Sequence, residues 1–250
     1  MRYRLAFITL LAFSLFSCSE KTEEFETELL SDYLPLQPGK YITYRLDSLA
    51  LTDFGKSLEV HSYQLKHVVD SEITDNLGRP SYRIYRYLRN ADGSGEWANN
   101  GSYFITPLQT QIEVIEDNLR FIKLKAPLRE GNSWKGNNYL HLDPYPANKF
   151  TLFGYMKNWE YNYDSFSSSF DYNGEQYADV WTVEEENYGE NYPVTEPARP
   201  GGQIRAVEKY AKNIGLIYRE YTIVEYEPNT TGADPYYRGF GITMWMIDHN

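Results

Sequence analysis

The chain has one cysteine, Cys18, and four histidines among its 250 residues. A single thiol excludes an internal disulfide, so a domain of this length must be held by its core. The histidines supply no metal set. His61 and His67 share a strand face but stand six residues apart, roughly 20 Å on a strand, and His141 with Asp143 has no second pair beside it. Basic residues are few: 24 Lys and Arg face 35 Asp and Glu, a net charge of −11. Such a balance opposes binding to nucleic acid or to an anionic lipid surface. After residue 17 no apolar run approaches the roughly 18 residues that suggest a membrane-spanning helix. Gly-x-Ser-x-Gly elbows, phosphate loops and Cys–His pairs are also missing. Glu184-Glu185-Glu186 puts neighbouring carboxylates on opposite faces of a strand, which suits a solvated edge better than a paired acid and base. The alternating Asn90, Asp92, Ser94 and Glu96 lack the twelfth-position Glu of a calcium loop, where Gly101 stands, so they read as a hairpin tip. No catalytic residue, cofactor or metal is therefore expected.

What is present begins at the N-terminus. Arg2 and Arg4 precede an apolar run, Leu5 to Phe16, of signal-peptide length. It ends in Leu15-Phe16-Ser17-Cys18, which resembles the bacterial lipobox. The resemblance implies cleavage after residue 17 and lipidation of Cys18, whose acyl chains would hold the protein on a membrane. Residues 18–30 are polar and acidic and read as a tether. Lys21 and the glutamates around it resemble the surface-export signal of Bacteroidetes lipoproteins, and Ser19 resembles outer-membrane sorting; a plain charged spacer is the other reading. The expected address is the outer membrane, lipid-anchored, facing either the periplasm or the cell surface. Loss of residues 1–17 takes Arg2 and Arg4 with it, so 24 basic residues become 22 against 35 acidic, a net −13.

From Tyr41 the pattern has period two, broken by turns. Strands are expected near 41–46, 58–73, 81–88, 103–106, 111–115 and 119–125, then 151–163, 176–186, 216–227 and 240–247. The turn chemistry at Asp75–Pro80 and Asn90–Gly95 links them at hairpin spacing. Ile204, Val207, Tyr210 and Ala211 share a helical face before Gly215, so one short helix is expected near 203–213. The expected fold is all-β: residues 31–250 as one antiparallel, strongly curved sheet or open barrel with that helix, or else a two-sheet β-sandwich.

Two segments echo each other. Pro35-Leu36-Gln37-Pro38-Gly39 and Pro127-Leu128-Arg129-Glu130-Gly131 each lead to a large apolar residue three positions on. Similar turns into strands would suffice to explain this; a repeated half-domain is the alternative. These phrases, with Tyr210-Ala211-Lys212-Asn213-Ile214-Gly215-Leu216, resemble a broad group of functionally uncharacterised Bacteroidetes cell-envelope lipoproteins. The resemblance covers about a sixth of the chain. It implies an envelope lipoprotein with a curved sheet and no particular catalytic residues.

Nine aromatic residues fall between Tyr155 and Trp181. Trp159, Tyr161 and Tyr163 alternate with Glu160, Asn162 and Asp164. Such a row, with Trp181, could stack on sugar rings while polar neighbours bond hydroxyls, or it could pack a core. The expected function is a non-enzymatic ligand-binding lipoprotein, with glycan ahead of lipid. Trp159, Tyr161, Tyr163 and Trp181 are the candidate contacts. The alternative is a structural or assembly component with an envelope protein partner.

Overall fold

The computed structural model describes residues 28–152, 154–172, 174–229, 232 and 234–250. The expected signal peptide, Cys18 and the tether up to residue 27 lie outside the described residues. The described chain is all-β. Twelve strands form one antiparallel sheet: β1 (Tyr41–Thr52), β2 (Ser57–Thr74), β3 (Pro80–Asn90), β4 (Ala98–Pro107), β5 (Gln111–Glu116), β6 (Leu119–Lys125), β7 (Ser133–Trp134), β8 (Tyr161–Tyr172), β9 (Glu175–Glu190), β10 (Gly201–Ala211), β11 (Gly215–Glu227) and β12 (Tyr236–His249).

Each strand pairs with its neighbours in sequence except at β6 and β7, and β1 pairs with β12, giving the order β6-β5-β4-β3-β2-β1-β12-β11-β10-β9-β8-β7. The sheet curls into a nearly closed barrel rather than splitting into a sandwich. Its remaining gap, between β6 and β7, is bridged by two bonds of 2.8 Å: Ile122 N–H donates to the Gly136 carbonyl, and the Trp134 indole N–H donates to the Ile122 carbonyl. Eight strands enclose an interior that side chains just fill; twelve leave room for a lumen.

The two echoed segments make the same connection. Gly39, at φ 92°, donates its N–H to Val69 on β2 (2.8 Å), and Val69 returns a bond to Lys40 (2.8 Å). Gly131, at φ 75°, donates to Tyr163 on β8 (2.8 Å), and Tyr163 returns a bond to Asn132 (3.1 Å). Left-handed φ favours glycine at both places. The echo is thus a shared turn into a strand, one before β1 and one before β7.

Three expectations need correction. Residues 203–213 form no helix; they lie in β10 and the turn after it. The extra residues of the two bulges beside β10, Glu185 and Ile217, lie on the partner strands β9 and β11, and β10 itself runs unbroken. Both of its faces carry buried residues, Ile204 and Tyr210 on one, Val207 and Ala211 on the other, which imitates a helical face, and ladder pairing on both sides overrides the local preference. The strand expected from 151 begins only at Tyr161, after a 3-10 turn at Met156–Asn158. Residues 28–30, assigned to the tether, belong to the fold. Glu28 accepts bonds from Tyr33 (3.0 Å), Trp181 (3.3 Å) and Lys212 (3.0 Å), and Leu30 is buried.

That N-terminal segment closes one end of the barrel, with Leu34, Pro35 and Leu36 beside Ile214, Gly215 and Leu216. Residues 135–160 cover the other end. Solvent-facing positions carry charge pairs such as Arg45–Asp47 (3.2 Å) and Arg83–Asp70 (2.6 Å). A membrane-embedded barrel fills such outward positions with apolar side chains.

Candidate ligand-binding lumen

The sequence-predicted aromatic residues are not an exposed platform. Trp159, Tyr161, Tyr163 and Trp181 are 4%, 0%, 0% and 6% exposed. The Tyr161 hydroxyl donates to Asn137 Oδ1 (2.7 Å), and Tyr163 donates its hydroxyl to the Lys125 carbonyl (2.9 Å). Tyr163 also packs between Trp134 (4.9 Å between ring centroids) and Trp181 (5.2 Å). The alternation is that of a strand with one side turned into a barrel core, the ordinary meaning of period two. Trp159 lies outside the strands and borders two shallow clefts beneath Tyr155.

A cavity of about 450 Å³ lies elsewhere, beneath Tyr145 and Asn148 of the covering segment. Its wall has two halves. Leu65 on β2, Leu46 on β1, and Ile242 and Met244 on β12 come from three adjacent strands and make one side apolar. Arg86 on β3, Asn100 on β4, Glu116 on β5 and Lys123 on β6 come from the next four strands and bring the polar groups to the other side, where Leu119 and Phe121 of β6 also line the cavity. Arg219 and His67 line both this cavity and a second one of about 70 Å³ towards the N-terminal plug, so they form the floor between them. Tyr145 and Asn148 are the lining residues contributed by the covering segment.

A chain of ion pairs runs through the polar wall. Arg86 reaches Glu116 (2.8 Å) and Asp117 (3.2 Å). Arg219 joins Glu116 (3.2 Å) to Glu208 (2.6 Å), and Lys123 joins Glu208 (3.0 Å) to Glu185 (2.5 Å). Burial by itself raises a carboxyl pKa, but Arg219 and Arg86 outweigh it at Glu116 and hold that group low. Burial likewise acts to raise Glu208, and Lys123, Arg219 and the Tyr210 hydroxyl bring it down to about 2. At Glu185 burial prevails over Lys123, and the Glu208 charge adds to it, so its pKa is raised. Burial pushes His67 down to about 3, so its ring is neutral near pH 7.

Sequence reasoning set Glu184–Glu186 aside as a solvated edge. That holds for Glu184, which pairs with Arg205 (2.5 Å) at partial exposure, but not for Glu185, which is 1% exposed. Glu208 and Arg219 gave no signal beyond their place in apolar strand segments, where a charge is itself a hint of an inward partner. Divergent pKa values in a carboxylate pair can mark an acid and a base. Here both carboxylates are buried and neither is among the residues that line the cavity.

Some polar atoms in this region lack partners among the described residues: His67 Nε2, Arg86 Nε and one oxygen of Glu185. His67 Nδ1 is already engaged with the Tyr103 hydroxyl (3.1 Å). Buried groups of this kind are ordinarily satisfied by protein or ordered water, and an orphan needs an explanation.

The covering segment is held at Thr151 and Leu152 by two carboxylates, Glu225 and Glu227, the latter accepting the Thr151 hydroxyl (3.2 Å). Glu225, 1% exposed, accepts the backbone N–H groups of Thr151 (2.9 Å) and Leu152 (2.7 Å) and the Arg238 Nε–H (2.7 Å). Tyr145 packs edge-on against Phe240, with centroids 4.9 Å apart. Compared with known proteins, the chain matches no family model, and no curated protein matches it.

Proposed function

We propose that the protein is a non-enzymatic binding protein of the bacterial envelope, tethered through a lipid on Cys18, whose barrel lumen takes up one small molecule. The carrying observation is the two-sided cavity of about 450 Å³. It falls within the range of about 300–1,000 Å³ common to small-molecule sites and has their mixture of apolar wall and few polar groups. The lipobox-like Leu15-Phe16-Ser17-Cys18 supports the address. The burial of the aromatic row moves the expected ligand contacts from an outer face to the lumen. An assembly component would need no such cavity.

The test uses N-phenyl-1-naphthylamine, an uncharged dye that brightens in apolar sites. The full chain is expected to enhance its fluorescence saturably. Ile242→Trp and Leu46→Trp, which fill the lumen from β12 and β1, are each expected to abolish the enhancement. An unchanged response in folded forms of both variants refutes uptake into the lumen.

A further inference from the structure

The lumen's charge balance and its orphaned donor together specify a class of ligand. We infer that the ligand is an uncharged molecule with one apolar face and a head of hydroxyl or carbonyl oxygens, in the manner of a small glycoside. The inference rests on the lumen being the binding site, as proposed above.

The apolar half comes from the β2–β1–β12 wall, where Leu65, Leu46, Ile242 and Met244 offer no polar group. One face of the ligand must match it, because polar groups pressed there would lose their water without gaining partners. The head then faces Arg86, Glu116 and Lys123.

That head carries no net charge. The three cations of the polar wall, Arg86, Arg219 and Lys123, are met by three buried or nearly buried carboxylates, Glu116, Glu208 and Glu185. Each cation touches two carboxylates, counting Asp117 at the rim for Arg86. No cation is left over for an anion, and the carboxylates are likewise engaged. A carboxylate or ammonium headgroup would be an unpaired charge in a partly dehydrated site, which weakens binding.

The head nevertheless must accept hydrogen bonds. Arg86 binds its acids through the two terminal nitrogens, and its buried Nε–H has no acceptor among the described residues. A guanidinium only donates, so what satisfies it is an oxygen lone pair. His67 Nε2, buried in a residue of the cavity floor, has no partner among the described residues either. An uncharged oxygen meets the Nε–H without upsetting the ion pairs. The volume suits a molecule of one or two rings: about 450 Å³ is the share of roughly 15 liquid waters.

The experiment displaces the naphthylamine dye from the full chain with three probes sharing one apolar tail: hexyl β-D-glucopyranoside, hexanoate and hexylamine. The glucoside is expected to bind at least about tenfold more tightly than either charged probe. Arg86→Lys keeps the charge opposite Glu116 but removes Nε–H, and is expected to weaken the glucoside several-fold more than it weakens the dye. Three results overturn the inference: a charged probe that binds as well as the glucoside, a glucoside that does not displace the dye, or Arg86→Lys weakening the glucoside no more than the dye. Failure of the dye to enter the lumen at all, read from Ile242→Trp and Leu46→Trp, instead overturns the lumen as the site.

Discussion

Replacing Lys123 by Met should cost stability in a manner that depends on pH, and the size follows from what Lys123 touches. Its ammonium is the partner of Glu185 (2.5 Å), whose other oxygen has no hydrogen-bond partner assigned among the described residues, and shares Glu208 (3.0 Å) with Arg219. Without it, Glu208 keeps Arg219 and Tyr210, while Glu185 is stranded at 1% exposure. A stranded carboxyl escapes by holding its proton, which limits the penalty. From an ordinary value of 4.5, staying protonated at pH 7 costs about 3 kcal/mol at 1.36 kcal/mol per pH unit. The same calculation at pH 5 gives under about 1 kcal/mol. A raised folded-state pKa means that the folded chain keeps a proton which the unfolded chain releases above 4.5. The variant therefore loses stability as pH rises from that point. At roughly 2–4 °C per kcal/mol for a domain of this size, Tm should fall by about 6–12 °C at pH 7 and by a few degrees at pH 5. Adding Glu185→Gln should recover most of the loss, because it removes the stranded acid. Thermal melts of the two variants across pH 5–8 read both effects. A deficit independent of pH, or a double variant no more stable than the single one, would refute the assignment of Lys123 as the counter-ion of Glu185.

Four further outcomes follow from named contacts. Mass spectrometry of the mature protein should find Cys18 at the N-terminus and acylated, with Cys18→Ala leaving the detergent phase on partition; an unmodified thiol there refutes the lipid tether. Glu225→Ala removes the acceptor of Thr151 and Leu152 N–H, so amide exchange should accelerate across residues 145–152 and remain slow in β1 and β2. Gly136→Ala should destabilise by about 1–3 kcal/mol as an overpacked site, since its Cβ would lie 2.4 Å from ring carbons of Tyr161; denaturant unfolding measures it. His67, with a pKa near 3 against an ordinary 6.5, should show no imidazole titration by NMR between pH 5 and 8. Below pH 6.5 the unfolded chain takes up a proton that the folded chain refuses, so stability should decline on acidification, less so in His67→Gln.

The strands were the most legible part of the chain, because alternation and turn chemistry are local properties. Asp75–Pro80 and Asn90–Gly95 both sit where β2, β3 and β4 are joined. The closure of the sheet was less legible, since β1 meets β12 across more than 190 residues and no local pattern encodes that pairing. Burial on both faces of β10 disguised that strand as a helical face. The candidate site was least legible. Arg86, Glu116, Lys123, Glu208 and Arg219 lie on five different strands, each reading alone as one charged residue in an alternating segment. Only the register of the ladders brings them within 3.2 Å of one another in succession. The aromatic residues dominated the sequence because they are close together in it, and closeness along one strand marks a core as readily as a binding face.

The two halves of the barrel start alike and then diverge at one place, and the lumen owes its cover to that divergence. Gly39 leads into β1, which runs for 12 residues and turns directly into β2 through Asp53–Gly55. Gly131 leads into β7, which lasts only two residues. The length that would continue β7 instead becomes the segment between Trp134 and Tyr161. Freed from the ladder, its backbone must find other partners. It finds them in Glu225 and, through Tyr145 and Phe150, in Phe240 on the far rim. A shortened strand thus yields two things at once: the narrow β6–β7 gap, held by Gly136 and Trp134, and a flap lying across the barrel mouth. Entry to the lumen is therefore expected at this end. The N-terminal plug buries Leu30 and Tyr33 in the core, whereas the flap contributes only the half-buried Tyr145 and Asn148 to the cavity wall.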